Sequence, residues 1–343
     1  MKTISACPVC GETKGPRQAA ILSPFIAAWV RPDIHEKLCT IRSCDRCGLQ
    51  FFEQRFDAQE MKRLYANYRS EAYLNCRTAF EPWYTRKVND ANLSAGLISK
   101  RRHELETYLQ RHLPSLNEDL AIVDVGGDAG QFIPCCFNAD RYVLESSDRE
   151  PWPNTTRIDT LNDVRPARQL LLICAHVLEH LPDPLAFLRL QLSQAQQNSS
   201  QIIIYLEVPL ESFQLMLGTQ TSAYRSYLRL LQKQSLRWLW QPLDLLSLAA
   251  RRYLGLVFPP FFLKLHEHIN FFNKRSIAQL ALHLDLNILN LQIFHQPNLT
   301  GNQGIIRLLA MQIRSDCRDP QRIEQPSTAL ACGTSVHSEQ IQP

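Results

Sequence analysis

Leu120-Ala-Ile-Val-Asp-Val125, followed at once by Gly126-Gly127-Asp128-Ala129-Gly130, decides the fold of this chain. A short apolar run ending in glycines, with a helix-compatible segment behind it, reads as strand, glycine turn and helix. Such a turn lets the backbone approach a ligand closely, and a helix start adds amide donors there. Further apolar runs recur at Arg141–Glu145, Gln169–Ala175 and Gln201–Val208, and helical spacing at Leu185–Gln196 falls between the last two. Alternation of this kind predicts an α/β fold with a parallel sheet and crossover helices on both faces. Lys274–Leu284 reads as a last helix, and Asn287–Phe294 and Ile305–Ile313 as closing strands.

Glu145 ends the second of these strands, 21 residues after Asp124. An acidic side chain there can accept hydrogen bonds from ribose hydroxyls, which points to an adenosine-type ligand. Asp124-Val-Gly126-Gly127-Asp128-Ala129-Gly130 resembles the first motif, D-x-G-x-G-x-G, of the class I S-adenosylmethionine (SAM)-dependent methyltransferases, with Asp128 in place of the middle glycine. The resemblance implies a Rossmann-like sheet and a SAM site at Asp124, Gly126, Gly127, Asp128, Gly130 and Glu145.

Cys174-Ala-His176-Val-Leu-Glu179-His180-Leu-Pro-Asp183-Pro184 is the more specific motif and resembles the H-V-L-E-H-x-x-D-P segment of the methyltransferase-23-like branch. By that resemblance Ala175 lies along SAM, Glu179 and His180 shape the turn and the helix start, and His176 reaches the reaction space from the SAM side. The family often holds the adenine amino group with an acidic residue after its third strand, and Asp159 in Thr156-Arg-Ile-Asp159 is the candidate. The aspartate that often begins the fourth strand is missing from Gln169-Leu-Leu-Leu-Ile.

Cys7-Pro-Val-Cys10-Gly11 and Cys44-Asp-Arg-Cys47-Gly48 are two C-x-x-C-G knuckles separated by 33 residues. Four thiolates make the closed tetrahedral shell of structural zinc, so Cys7, Cys10, Cys44 and Cys47 are assigned to Zn2+. A redox pair would need one C-x-x-C beside a βαβ unit. Cys39 is left out of the set, and the remaining cysteines are read as thiols without function.

His266-Glu267-His268-Ile-Asn270-Phe271-Phe272 resembles the E-H-x-x-x-F segment of the same branch, which includes zinc-bearing C-methyltransferases acting on nucleotide-linked sugars. Those enzymes carry a tyrosine two residues before the glutamate, where this chain has Leu265. The resemblance implies His268 as the general base, with Glu267 orienting it or contacting the acceptor, and Tyr65 or Tyr68 closing the site. The alternative is that Glu267 and His268 cap the helix that follows.

The insertion at 210–264 exceeds what the minimal fold needs and is expected to face the substrate. Arg225, Arg229, Lys233 and Arg237 recur every four residues as a basic helical stripe, with Tyr227, Leu228, Leu231, Leu236, Trp238 and Trp240 as apolar surface. The segment 224–262 thus suits either a lid with a solvated face or a peripheral contact with anionic lipid.

The 343 residues, 45% hydrophobic and 20% charged, are those of an ordinary folded chain. The N-terminus lacks the apolar stretch of a secretory signal, and no apolar run is long enough to span a bilayer, so the expected location is cytoplasmic. A net charge of +4 permits an anionic partner without requiring one. The chain divides into a zinc-ribbon module (1–56), a helical connector (57–115), a methyltransferase domain (116–314, with the insertion at 210–264) and a disordered tail (315–343). The expected function is methyl transfer from SAM to a small-molecule or saccharide acceptor, such as a nucleotide- or lipid-linked sugar. RNA methylation is an alternative, disfavoured because no basic arm with interleaved aromatics lies near the zinc module; a non-catalytic SAM-binding scaffold is another.

Overall fold

A computed structural model describes residues 1–34, 37–90, 94–116, 119–145, 149–211, 213–216, 219–298 and 301–313; the tail read at 315–343 lies outside them. The N-terminal part contains β1 (Lys2–Thr3), β2 (Arg17–Leu22), α1 (Pro24–Val30), β3 (Leu38–Ser43), β4 (Gln50–Phe52) and β5 (Gln54–Arg55). Four helices follow, α2 (Ala58–Tyr65), α3 (Glu71–Phe80), α4 (Arg86–Asn89) and α5 (Ala95–His112). Asp57 and Glu60 form a reciprocal capping box at the start of α2, which satisfies amide donors that would otherwise be unpaired.

The central sheet is built from β6 (Leu120–Val125), β7 (Ala139–Leu144), β8 (Thr156–Ile158), β9 (Ala167–Ala175) and β10 (Ser199–Pro209), with α6 (Pro184–Asn198) between the last two. The insertion forms α7 (Ser222–Leu231) and α8 (Arg237–Ala249), the latter running into a wider turn at Ala250–Leu254. Then come β11 (Lys264–Leu265), β12 (Asn270–Phe271), α9 (Lys274–His283), β13 (Asn287–Asn298) and β14 (Gly301–Ile313).

The seven strands lie in the order β8-β7-β6-β9-β10-β14-β13, and β14 runs antiparallel to both its neighbours. The inner strands are nearly continuous in apolar residues because both faces are covered. Ala121, Val123, Leu170, Leu172, Ile202 and Ile204 pack toward α6 and α9, while Ile122, Leu171, Ile173, Ile203 and Tyr205 pack toward Leu105, Tyr108 and Leu109 of α5. Successive strand residues point to opposite faces, so this split follows from the period of two.

The helix expected after the glycine turn does not form; residues 131–138 make turns instead. Pro134 has no amide hydrogen to donate and its ring clashes with the preceding helical turn, which explains the loss. Between β8 and β9 there is only a single short turn of helix, Leu161–Asp163.

A second sheet has the order β11-β2-β3-β4-β12, so residues 264–271 complete the sheet of the N-terminal module. Ala20, Leu22, Ile41 and Phe52 on one of its faces pack with Phe25, Ile26 and Tyr73. Ala19, Ile21 and Leu38 on the other pack with Tyr224, Leu228, Leu231 and Trp240 of the insertion. The insertion is thereby anchored to the N-terminal sheet. Among the described residues no helix is long and apolar enough to cross a membrane.

Candidate active site and metal centre

The chain leaves β6 for β7 and β8 on one side, then crosses back to β9 and β10 on the other. The carboxyl ends of β6 and β9 therefore flank a switch point, where open α/β sheets bind ligands. The glycine turn follows β6 there, Glu145 follows β7, and Ala175 ends β9. Register brings Asp124 opposite Val143 and Ile173. A side chain at Gly127 would lie 2.1 Å from the Asp124 carboxyl, so only glycine lets the turn fold over this buried aspartate. Asp128 takes a positive φ of 59°, a conformation that aspartate tolerates better than most residues, and its carboxylate meets Arg149 at 2.6 Å. Burial pushes the Asp124 carboxyl up to about 7, against the opposing charge of Arg101. Asp159 is exposed at the end of β8, two strands from β6.

The two histidine motifs are stitched together. Both Ile269 and Asn270 donate backbone N–H bonds to the Glu179 carbonyl, at 2.9 and 3.0 Å. The Asn270 side chain donates to the carbonyls of Leu178 and Leu181 and accepts from Arg55. As a result the rings of His180 and His268 meet edge to face, 4.7 Å between centroids. Asp183 caps α6 by accepting from the Ala186 N–H, with Pro184 in the first helical turn where its missing donor costs nothing.

Each histidine has a different setting. His176 has a positive φ of 59°, and its ring lies 3.4 Å from Glu179 and 3.2 Å from Glu207. Burial disfavours its charge, but the two carboxylates prevail and raise its pKa to about 9, leaving a cation at neutral pH. His180 is driven down to about 4 by burial and by His268, and its Nδ1 lies 3.2 Å from the Glu267 carbonyl. His268 is raised, because Glu211 at 3.3 Å from Nδ1 outweighs burial.

Glu267 turns away from His268. Its carboxylate accepts from the Tyr73 hydroxyl and, at 3.0 Å, from Arg77, and despite burial Arg77 helps hold it at about 2. The residue behind the His268 imidazole is Glu211, itself paired with Arg251 at 3.6 Å. The hydroxyl of Tyr65 is buried without a hydrogen bond, and burial, Glu267, Tyr68, Glu179 and Glu145 all raise its pKa. Arg101 of α5 reaches 3.5 Å from Glu207. Glu211, Arg251 and Arg101 carry no local motif; only Asn270 stood inside a recognised segment.

The four cysteines of the knuckles are buried with their sulfurs within 4.8 Å of one another. Cys7 and Cys47 are 3.6 Å apart, and Cys10 and Cys44 3.4 Å. Tetrahedral zinc with bonds of about 2.3 Å spaces its sulfurs about 3.8 Å apart, so the donor set fits. The knuckles are alike: the N–H groups of Gly11 and Gly48 donate to the carbonyls of Cys7 and Cys44, both at 2.9 Å. Cys39 lies in β3 and packs in a different core cluster. None of the described cysteines is in a disulfide.

The strand order with its antiparallel seventh strand, and the glycine turn and acidic residue at the switch point, define a class I SAM-dependent methyltransferase, an enzyme of methyl transfer. The chain belongs to the family described as Methyltransferase domain, whose model matches residues 97–291. Among solved structures it is similar to magnesium protoporphyrin IX methyltransferase from Synechocystis PCC 6803 with bound S-adenosylhomocysteine (10% identity, 73% of this chain and 99% of that one, TM-score 0.36). It is also similar to the 1,6-didemethyltoxoflavin N1-methyltransferase of Burkholderia thailandensis (11% identity, 80% and 96%, TM-score 0.37). A third is the N-methyltransferase NodS of Bradyrhizobium japonicum (13% identity, 62% and 97%, TM-score 0.32). No curated protein sequence matches the chain.

Proposed function

We propose that the protein methylates a small, oxygen-rich acceptor such as a saccharide, in the cleft between the glycine turn and the stitched histidine motifs. SAM is assigned to the switch point, over Gly126–Gly130, with its ribose hydroxyls on Glu145, Ala175 alongside, and Asp124 and Asp128 shaping the turn. Asp159 is the candidate for the adenine amino group. Arg101 supplies a fixed positive charge for the carboxylate of the methionine part. SAM itself supplies an electrophilic methyl group on a sulfonium; the chain's task is to hold the acceptor in line with it and to assist loss of its proton.

The observation that carries this reading is the convergence of Tyr65, Glu179, His180, Glu211 and His268 on the acceptor side, a polar lining suited to hydroxyl groups. His268 acts on the acceptor through Nε2, with Glu211 fixing its ring. His176, held between two carboxylates, serves as a fixed cation and shapes the cleft; Glu267 braces the connector helix α3. Zinc on Cys7, Cys10, Cys44 and Cys47 holds the N-terminal module, and the free thiols suit a cytoplasmic setting.

The insertion favours an acceptor that is presented at a lipid surface. α8 turns Trp238 (70% exposed), Leu245 and Leu246 to solvent, and Tyr253 (78%) and Leu254 follow. Residues 222–256 hold six Lys or Arg and one acidic residue, which matches anionic lipid. Incubating the protein with labelled SAM and separate pools of nucleotide sugars, lipid-linked sugars and RNA tests the reading. Transfer to a sugar pool is expected; transfer to RNA alone, or to nothing, overturns it.

A further inference from the structure

We propose that Glu179, His180 and His268 bind a divalent transition-metal ion on the acceptor side of the cleft, distinct from the cysteine site. The proposal rests on the reading of this cleft as the place of methyl transfer. One donor atom from each of the three residues lies within 4.8 Å of the others. Two separate segments supply them, and these are locked together by the bonds from Ile269 and Asn270 to the Glu179 carbonyl.

Each donor is set up for the role. Nδ1 of His180 faces a carbonyl oxygen, which only accepts, so that nitrogen carries the hydrogen and Nε2 keeps its lone pair. Nδ1 of His268 faces the Glu211 carboxylate, with the same consequence for its Nε2. Histidine ligands in metal sites characteristically commit their second nitrogen to a carbonyl or carboxylate in this way. Glu179 is 1% exposed, and neither of its carboxylate oxygens has a hydrogen bond; the nearest cationic group is the His176 ring at 3.4 Å. Of the groups around this buried carboxylate only the His176 ring approaches within 3.4 Å, and an ion between it and the two imidazoles would add a second charge partner on its other side.

The donor chemistry selects the ion. Two imidazoles and one carboxylate suit zinc, iron(II), cobalt or nickel, whereas magnesium and calcium favour all-oxygen shells. Nε2 of His180 lies 4.0 Å from Glu179 Oε1, and bonds of about 2.1 Å put neighbouring donors about 3.0 to 3.4 Å apart, so the side chains close by roughly an ångström around the ion. Three protein ligands leave coordination positions open, and Tyr65, whose buried hydroxyl has no hydrogen-bond partner, packs edge-on against the His180 ring beside them. The acceptor class that fits is one with two adjacent oxygens, a hydroxyl beside a carbonyl or a second hydroxyl. Its bound hydroxyl would have a lowered pKa next to the methyl donor, so with the ion present His268 acts on the acceptor as a ligand of that ion, in place of accepting its proton directly.

Metal counting decides it. The full-length protein, equilibrated with Co2+ and freed of excess, is expected to hold about two ions per chain, one with sulfur-to-cobalt absorption and one without. Glu179→Gln and His180→Ala should each retain only the sulfur-bound ion while binding SAM with unchanged affinity by calorimetry; His268→Ala gives the same count should either misfold. One ion per chain in the wild type, or a second ion that persists in the variants, overturns the metal site. A second ion in wild-type protein that does not bind SAM overturns the reading of the cleft and leaves the metal site standing.

Discussion

Oε1 of Glu211 stands 3.3 Å from Nδ1 of His268, across 57 residues of sequence, and Arg251 at the end of the insertion pairs with the same carboxylate. The end of β10, the E-H segment and the insertion therefore meet at one imidazole. Glu211→Gln keeps the shape but removes the anion that fixes the ring. Turnover of labelled SAM with the responding acceptor should fall about ten- to hundredfold, with SAM affinity unchanged. Unaltered turnover would leave the contact without a functional role.

Glu145→Ala addresses the other half of the cleft. A carboxylate accepting from ribose hydroxyls makes charge-assisted bonds worth about 1.5 to 3 kcal/mol, so calorimetry should record SAM affinity weakened about ten- to hundredfold. An unchanged dissociation constant would move the ribose elsewhere.

The strands were legible because their patterns are local. Leu120–Val125 is observed over the same residues as read, and the runs at Gln169 and Gln201 differ only at their ends. The helix after the glycine turn was misread because Pro134 outweighs an otherwise compatible composition. The cysteine set was legible because its spacing is itself the chemistry. Glu211 was not, since no periodicity marks a residue whose partner is 57 positions away. The resemblance offers Glu267 as the group that orients His268 or contacts the acceptor, but an extended backbone sends adjacent side chains to opposite sides, and Glu267 meets Tyr73 and Arg77 instead. The sharing of one sheet by β2–β4 and residues 264–271 is likewise a long-range pairing that the short strands β11 and β12 do not announce.

Asp124 gives stability a pH dependence of known sign. Its folded pKa, about 7, lies above the ordinary aspartate value of 3.8, so the folded state holds a proton that the unfolded chain has lost. That contribution is complete below about pH 4 and is lost as pH rises through about 7. Asp124→Asn mimics the protonated form, so its thermal stability relative to wild type should rise between pH 5 and pH 8, by roughly 2 to 3 kcal/mol. Parallel curves across that window would show that the carboxyl titrates normally.

The cysteine centre should prove structural. Asn273, which caps α9, donates to the Gly48 carbonyl at 2.6 Å, and Cys7, Cys10, Cys44 and Cys47 pack in the same core cluster as the central sheet. Cys44→Ser should therefore lower the metal content by about one ion per chain and lower the melting temperature of the whole chain. Metal content equal to wild type would remove the zinc assignment.

Glu267 and His268 are neighbours with separable roles, and two substitutions distinguish them. Arg77→Leu leaves the nearly buried Glu267 carboxylate with only the Tyr73 hydroxyl as a hydrogen-bond donor among the contacts described above. Removing one partner of such a pair costs about 3 to 5 kcal/mol, so the unfolding midpoint in urea should drop markedly, and Arg77→Lys should restore part of it. His268→Ala removes a ring that is one-third exposed and should shift that midpoint little, while turnover falls about a hundredfold or more with SAM still bound. A stable Arg77→Leu protein with lost turnover, or an unstable His268→Ala protein with normal turnover per folded molecule, would exchange the two roles and place Glu267 on the acceptor.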